Sequence, residues 1–166
     1  MQRARILTVV ALAALAGVGA WYWATTSVEG ADVRRRLLAF ADDVNRSATD
    51  GRSPADRAAA LAAYFTDDIE VELGQGAASM KGRETILGIA ERLQPRTAAF
   101  TLKFEDITVA MAPGGEAADV HLTAEFIRRS FTTGEEWLDA REFAIALQRI
   151  LGEWRMARVT AIDTLK

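Results

Sequence analysis

Phe100-Thr101-Leu102-Lys103-Phe104-Glu105-Asp106-Ile107-Thr108-Val109-Ala110-Met111 decides the fold. Its first half alternates apolar and polar, which marks a strand with one buried face. Ile107, Val109 and Met111 then carry the apolar set on the other parity. A switch of parity inside one strand predicts a β-bulge near Glu105–Asp106. Pro113-Gly114-Gly115 turns the chain. Val120, Leu122, Ala124 and Phe126 form the inward set of the next strand, and Thr133-Gly134 turns again. Trp137, Phe143, Ile145 and Leu147 share parity on a third strand. Leu151-Gly152 gives the last turn, and Trp154–Ile162 the last strand. Three short turns predict four consecutive antiparallel strands.

Upstream the period changes. Val33, Leu37, Phe40, Val44 and Ala48 recur at helical spacing, with Arg34–Arg36, Asp42, Asp43 and Arg46 on the other side. Ser53-Pro54-Ala55-Asp56 supplies an N-cap, a first-turn proline and an acid for a second helix, which runs to about Phe65. Ile69, Val71 and Leu73 alternate with Glu70 and Glu72 as a short strand. A third helix covers about Arg83–Leu93 and stops at Pro95. The reading is an α+β domain over 31–166. Three helices pack on a strongly curved antiparallel sheet, a cone-shaped, cystatin-like roll with a pocket.

Residues 1–28 are different. They hold Arg3 and Arg5 and no acid, which leaves a net −5 on the rest of a chain whose total is −3. Ile6–Ala24, ILTVVALAALAGVGAWYWA, would span about 28 Å as a helix, close to a bilayer's hydrocarbon thickness. Trp21, Tyr22 and Trp23 sit where aromatic rings favour the interface. The segment reads as a signal anchor, one N-terminal transmembrane helix that holds the chain in a lipid bilayer. The basic start puts the N-terminus inside a bacterial-type inner membrane and the domain in the extracytoplasmic space. Val18-Gly19-Ala20 leaves a second reading open, secretion after cleavage near Ala20.

Composition removes much chemistry. No cysteine means no disulfide, thiolate metal site or cysteine nucleophile, and one histidine forbids a multi-histidine metal site. The net charge argues against nucleic acid. No metal and no cofactor are expected. His121 shares parity with Asp119, Thr123 and Glu125, the polar side of its strand, so it faces away from the pocket. Asp67, Asp68, Glu70 and Glu72 lack the spacing of a calcium loop and read as a solvated face. Asp139 and Arg141 share a face with Trp137 and Phe143, and form the one polar pair placed to face a pocket.

The order of elements resembles the nuclear transport factor 2-like superfamily, including SnoaL-like and ketosteroid-isomerase-like proteins. The resemblance is carried by Leu61-Ala62-Ala63-Tyr64-Phe65-Thr66-Asp67-Asp68-Ile69-Glu70-Val71 and by Lys81-Gly82-Arg83-Glu84-Thr85-Ile86. It implies a cone with a ligand pocket, for which Trp137, Phe143, Phe126 and Leu73 are the lining candidates. It also implies where catalytic groups would sit. The isomerases' acid falls at Leu73, and their first-helix tyrosine is missing from the helix that holds Phe40. Asp139 and Arg141 are similar in type to the charged cluster of the family's epoxide hydrolases.

Three functions fit these readings. One is a non-enzymatic, tethered domain that binds a small apolar ligand or an envelope protein partner. The second is a SnoaL-like lyase, isomerase or hydrolase using Asp139 and Arg141. The third is an envelope assembly or secretion-system component. Leu138, Ala140, Ala144 and Ala146 leave a flat outer sheet face, on which a homodimer is expected.

Overall fold

The computed structural model describes residues 30–46, 51, 53–74, 79–92 and 98–162. The anchor segment Ile6–Ala24, together with Leu93 and Pro95, lies outside the described residues. Among the described residues no helix is long and apolar enough to cross a membrane. Helix α1 covers residues 30–46, α2 Pro54–Ala62 and α3 Arg83–Arg92. The strands are β1 Phe65–Glu72, β2 Met80–Lys81, β3 Ala98–Met111, β4 Ala117–Ser130, β5 Glu136–Ile150 and β6 Glu153–Ile162.

All six strands join one sheet in the order β2-β1-β6-β5-β4-β3. The meander β3–β6 is antiparallel throughout, as the three turns require. The expected all-antiparallel sheet is corrected at one place: β1 runs parallel to β6, with Val71 opposite Val159, so the sheet is mixed. A parallel neighbour needs a long crossover, and here the rest of the domain provides it. The two-residue β2 beside β1 was not expected from the sequence.

The bulge falls where the parity switches. Pairing of β3 with β4 slips between Glu105 and Thr108, and Asp106 takes φ +51°. A second slip, between the pairs Ala146–Arg158 and Leu147–Met156, puts its extra residue, Ala157, on β6. Each extra residue bends its strand, and the sheet packs its inner face against α1. Direct cross-strand partners share a face, so the register fixes the inner side: Phe104, Ala124 and Arg141 in one row, Leu102, Phe126 and Asp139 in the next, Phe100, Arg128 and Trp137 beyond.

Helix α1 buries a single stripe, Val33, Leu37 and Ala41, spaced one turn apart. These join Ile69, Val120, Leu122, Phe143, Ile145, Leu147 and Met156 in one core. Ser53 caps α2 by accepting from the Asp56 N–H at 3.2 Å, as its sequence position predicts. That helix ends at Ala62, however, and Phe65 opens β1 rather than closing the helix.

The direction of α1 is set by two contacts along β3. Arg34 donates to the Ile107 carbonyl, and Asn45 bonds both backbone groups of Leu102. The start of α1 thus lies with the β3–β4 and β5–β6 turns, and its end lies toward the β4–β5 turn.

Candidate functional site

The inner face changes character along its length. Toward the β5–β6 turn it is closed, with Ile145 and Leu147 buried. Toward the β4–β5 turn it opens. Phe143 is still buried, and its ring meets Phe126 edge-on at 6.3 Å, while Phe126 meets Phe100 at 6.0 Å. One strand position further out come Asp139 and Arg141, both more than half exposed, joined by Arg141 Nε donating to Asp139 Oδ2 at 3.1 Å. Trp137 is 44% exposed and lies under the Arg128 guanidinium at 5.0 Å.

This mouth gathers most of the residues singled out from the sequence. Asp139 and Arg141 do share the face of Trp137 and Phe143, but as a solvated pair at the rim, not an enclosed one. Leu73 continues the Ile69–Val71 alternation just beyond β1 and is 46% exposed. It lies toward the same end of the sheet, since β1 runs parallel to β6 and β6 finishes with Ile162 opposite Glu142. Phe100 and Arg128 were not singled out beforehand. The signal for Arg128 is its parity: it stands two residues past Phe126, so an arginine occupies an inward position.

No family model matches the chain, and no curated protein sequence matches it. Solved structures do. A candidate scytalone dehydratase from Novosphingobium aromaticivorans matches with a TM-score of 0.69 at 16% identity, over 85% of this chain and 87% of that one. A nuclear transport factor 2-like protein with a cystatin-like fold from the same organism gives 0.61 at 18%, over 78% of each chain. A ketosteroid isomerase-like protein from Erwinia carotovora atroseptica gives 0.59 at 21%, over 82% and 98%. The chain has the nuclear transport factor 2-like fold.

Within that fold, Phe40 on α1 is a core filler. Its ring meets Tyr64 at 5.3 Å and Phe65 at 5.5 Å edge-on, and stacks on Phe104 at 6.3 Å. His121 is exposed on the outer face, opposite Thr108 and Ala144. Glu70, expected on a solvated face, is instead a brace. It accepts from Ser79 at 3.0 Å and pairs with Lys81 at 2.9 Å and Arg158 at 3.6 Å. The Lys81 and Ser79 contacts hold its carboxyl below the usual range.

A second polar group lies behind α1. The buried Tyr64 hydroxyl donates to Asp43 Oδ2 at 2.6 Å, Arg46 pairs with Asp43 at 3.2 Å, and Arg36 covers the Tyr64 ring at 4.1 Å. Burial, then the bond to Asp43 and its negative charge, push the Tyr64 phenol from 10.0 up to about 12. The raised value favours the protonated phenol in the folded state. Its contribution is complete below pH 10 and is lost as pH rises from about 10 to about 12, a loss of ~2–3 kcal/mol. Denaturation at stepped alkaline pH checks this, and Tyr64→Phe should remove that part of the slope.

Proposed function

We propose that this is a membrane-tethered, non-enzymatic domain that binds a small apolar ligand at the mouth of its cone. The observation that carries this reading is the row Phe100–Phe126–Phe143, which shares the inner face with Arg128 and Arg141 at its open end. Aromatic rings favour an apolar body. Two guanidiniums against one carboxylate, Asp139, favour an acidic group at its outer end. The tether is the Ile6–Ala24 segment, and the mouth opens into the extracytoplasmic space.

Photolabelling in membranes tests the reading. A diazirine-bearing aromatic carboxylate is added to membranes that hold the full chain, and labelled peptides are mapped by mass spectrometry. Labels are expected in β3–β5 around Phe126. Phe126→Ala and Arg141→Gln should each weaken competition by the unmodified carboxylate about tenfold. Uniform labelling, unchanged in both variants, would count against a ligand site and favour an envelope protein partner.

A second reading is an enzyme acting at the same mouth through Asp139 and Arg141. The scytalone dehydratase and ketosteroid isomerase-like names among the fold's neighbours favour it. Asp139→Asn would then abolish turnover while ligand is still bound.

A second copy of the chain is the partner proposed for the outer sheet face, where Leu138 is 62% exposed beside Ala140 and opposite Ile127. A dimer mass by light scattering in mild detergent supports this, and a monomer mass counts against it.

A further inference from the structure

The β5–β6 turn carries a residue that neither packing nor backbone preference explains. Leu151 is 95% exposed, and its φ is +53°. Left-handed backbone costs a residue with a Cβ free energy, and Asn or Gly is the usual occupant of this turn position. A leucine here gains nothing from the fold.

A cleft of about 310 Å³ joins this turn to the first turns of α1, lined by Arg35, Arg36 and Arg149 together with Asp32 and Glu153. The Arg149 guanidinium also reaches over the Trp154 ring at 6.0 Å, and the Arg149 backbone N–H donates to the Glu116 carbonyl in the β3–β4 turn. Within the cleft three guanidiniums face two carboxylates, Asp32, which pairs with Arg35, and Glu153, which Arg36 approaches at 3.9 Å, so one positive charge is left over. This excess runs against the acidic balance of the rest of the domain.

Chain length brings a bilayer to the same end. Only residues 25–29 separate the apolar segment from α1, and they span at most about 20 Å. We propose that this end of the domain rests on an anionic bilayer surface, with Leu151 in the headgroup layer and Arg35 and Arg149 against lipid phosphates. The proposal rests on the tether reading given above. An exposed apolar side chain flanked by arginines is the chemistry that an anionic interface selects. The β4–β5 turn then lies about 40 Å away, by the length of β4, and the mouth points away from the membrane.

The chain has no cysteine, so a single one can carry a fluorophore. The full chain with Leu151→Cys, labelled with an environment-sensitive dye, is reconstituted in vesicles of equal parts phosphatidylcholine and phosphatidylglycerol containing nitroxide-bearing lipid. Thr133→Cys, in the β4–β5 turn, is the reference. The chain is expected to float with the vesicles, and the Leu151 probe to be quenched at least about threefold more than the Thr133 probe. That excess should fall when phosphatidylcholine replaces phosphatidylglycerol. Gln148→Cys at the same end gives a second attachment point should Leu151→Cys not fold. A chain that floats while both probes are quenched alike overturns the docking and leaves the tether standing. A chain that does not float overturns both.

Discussion

Leu147→Ala is expected to destabilise the domain by about 4 kcal/mol, near the upper end for a buried leucine. Leu147 is 1% exposed on the inner face of β5, between Ala118 on β4 and Met156 on β6. Ala118 is buried and already small, so it cannot fill the space. The β5 backbone there is paired on both sides, with β4 at Ala118 and with β6 at Met156, which limits collapse of the cavity. Leu138 on the same strand provides the control. It stands nine residues away, on the opposite parity, and is 62% exposed. At a concentration where the chain is monomeric, Leu138→Ala should change stability by no more than about 0.5 kcal/mol. Urea denaturation of the two variants beside the parent chain reads both. Equal costs would mean that the inner and outer faces of β5 are misassigned.

Asn45→Ala carries the second large effect, about 2–3 kcal/mol. Alanine is the better helix former, by roughly half a kcal/mol, so propensity alone predicts a gain. The loss comes from the sheet. β3 is an edge strand, and the Leu102 N–H and C=O lack a neighbouring strand on that side. The Asn45 side chain supplies one: Nδ2 donates to the Leu102 carbonyl at 2.8 Å, and Oδ1 accepts from the Leu102 N–H at 2.7 Å. Both bonds are partly buried, and their removal strands two backbone groups that α1 shields from water. Asn45→Asp should be nearly as costly, because a carboxylate keeps the acceptor and sets a second oxygen against the carbonyl. The same pair of bonds blunts an exposed edge, so aggregation on partial unfolding should also rise. Thermal unfolding with light-scattering detection reads both effects.

Much of the fold was legible because strand periodicity is local. The parity switch between Phe104 and Ile107 located the bulge, and Leu151-Gly152 located the last turn. The end of α2 was misread for a physical reason. Leu61, Tyr64 and Phe65 satisfy helical spacing, while Phe65, Ile69 and Val71 equally satisfy strand parity, and only the turn at Ala63–Tyr64 separates them. The parallel pairing of β1 with β6 joins residues about ninety positions apart, and no local pattern encodes such a partner. Asn45 was illegible for the same reason, since its partner Leu102 lies on another element.

The mouth was legible in part. Shared parity placed Asp139 and Arg141 on the face of Trp137 and Phe143, and all four stand in one uninterrupted pairing with β4. Parity along one strand says nothing of how far a cover extends, so the half-exposed state of the pair could not be read. Arg128 was passed over because the apolar alternation of β4 ends one position before it.

The most direct test of ligand binding at the mouth is mass spectrometry of small molecules carried by the full chain extracted in native lipid nanodiscs. An apolar acid, near stoichiometric in the parent chain and lost in Phe126→Ala and Arg141→Gln, is the expected result. Extracts of all three proteins that match, with no such molecule above the bulk lipid, would contradict it.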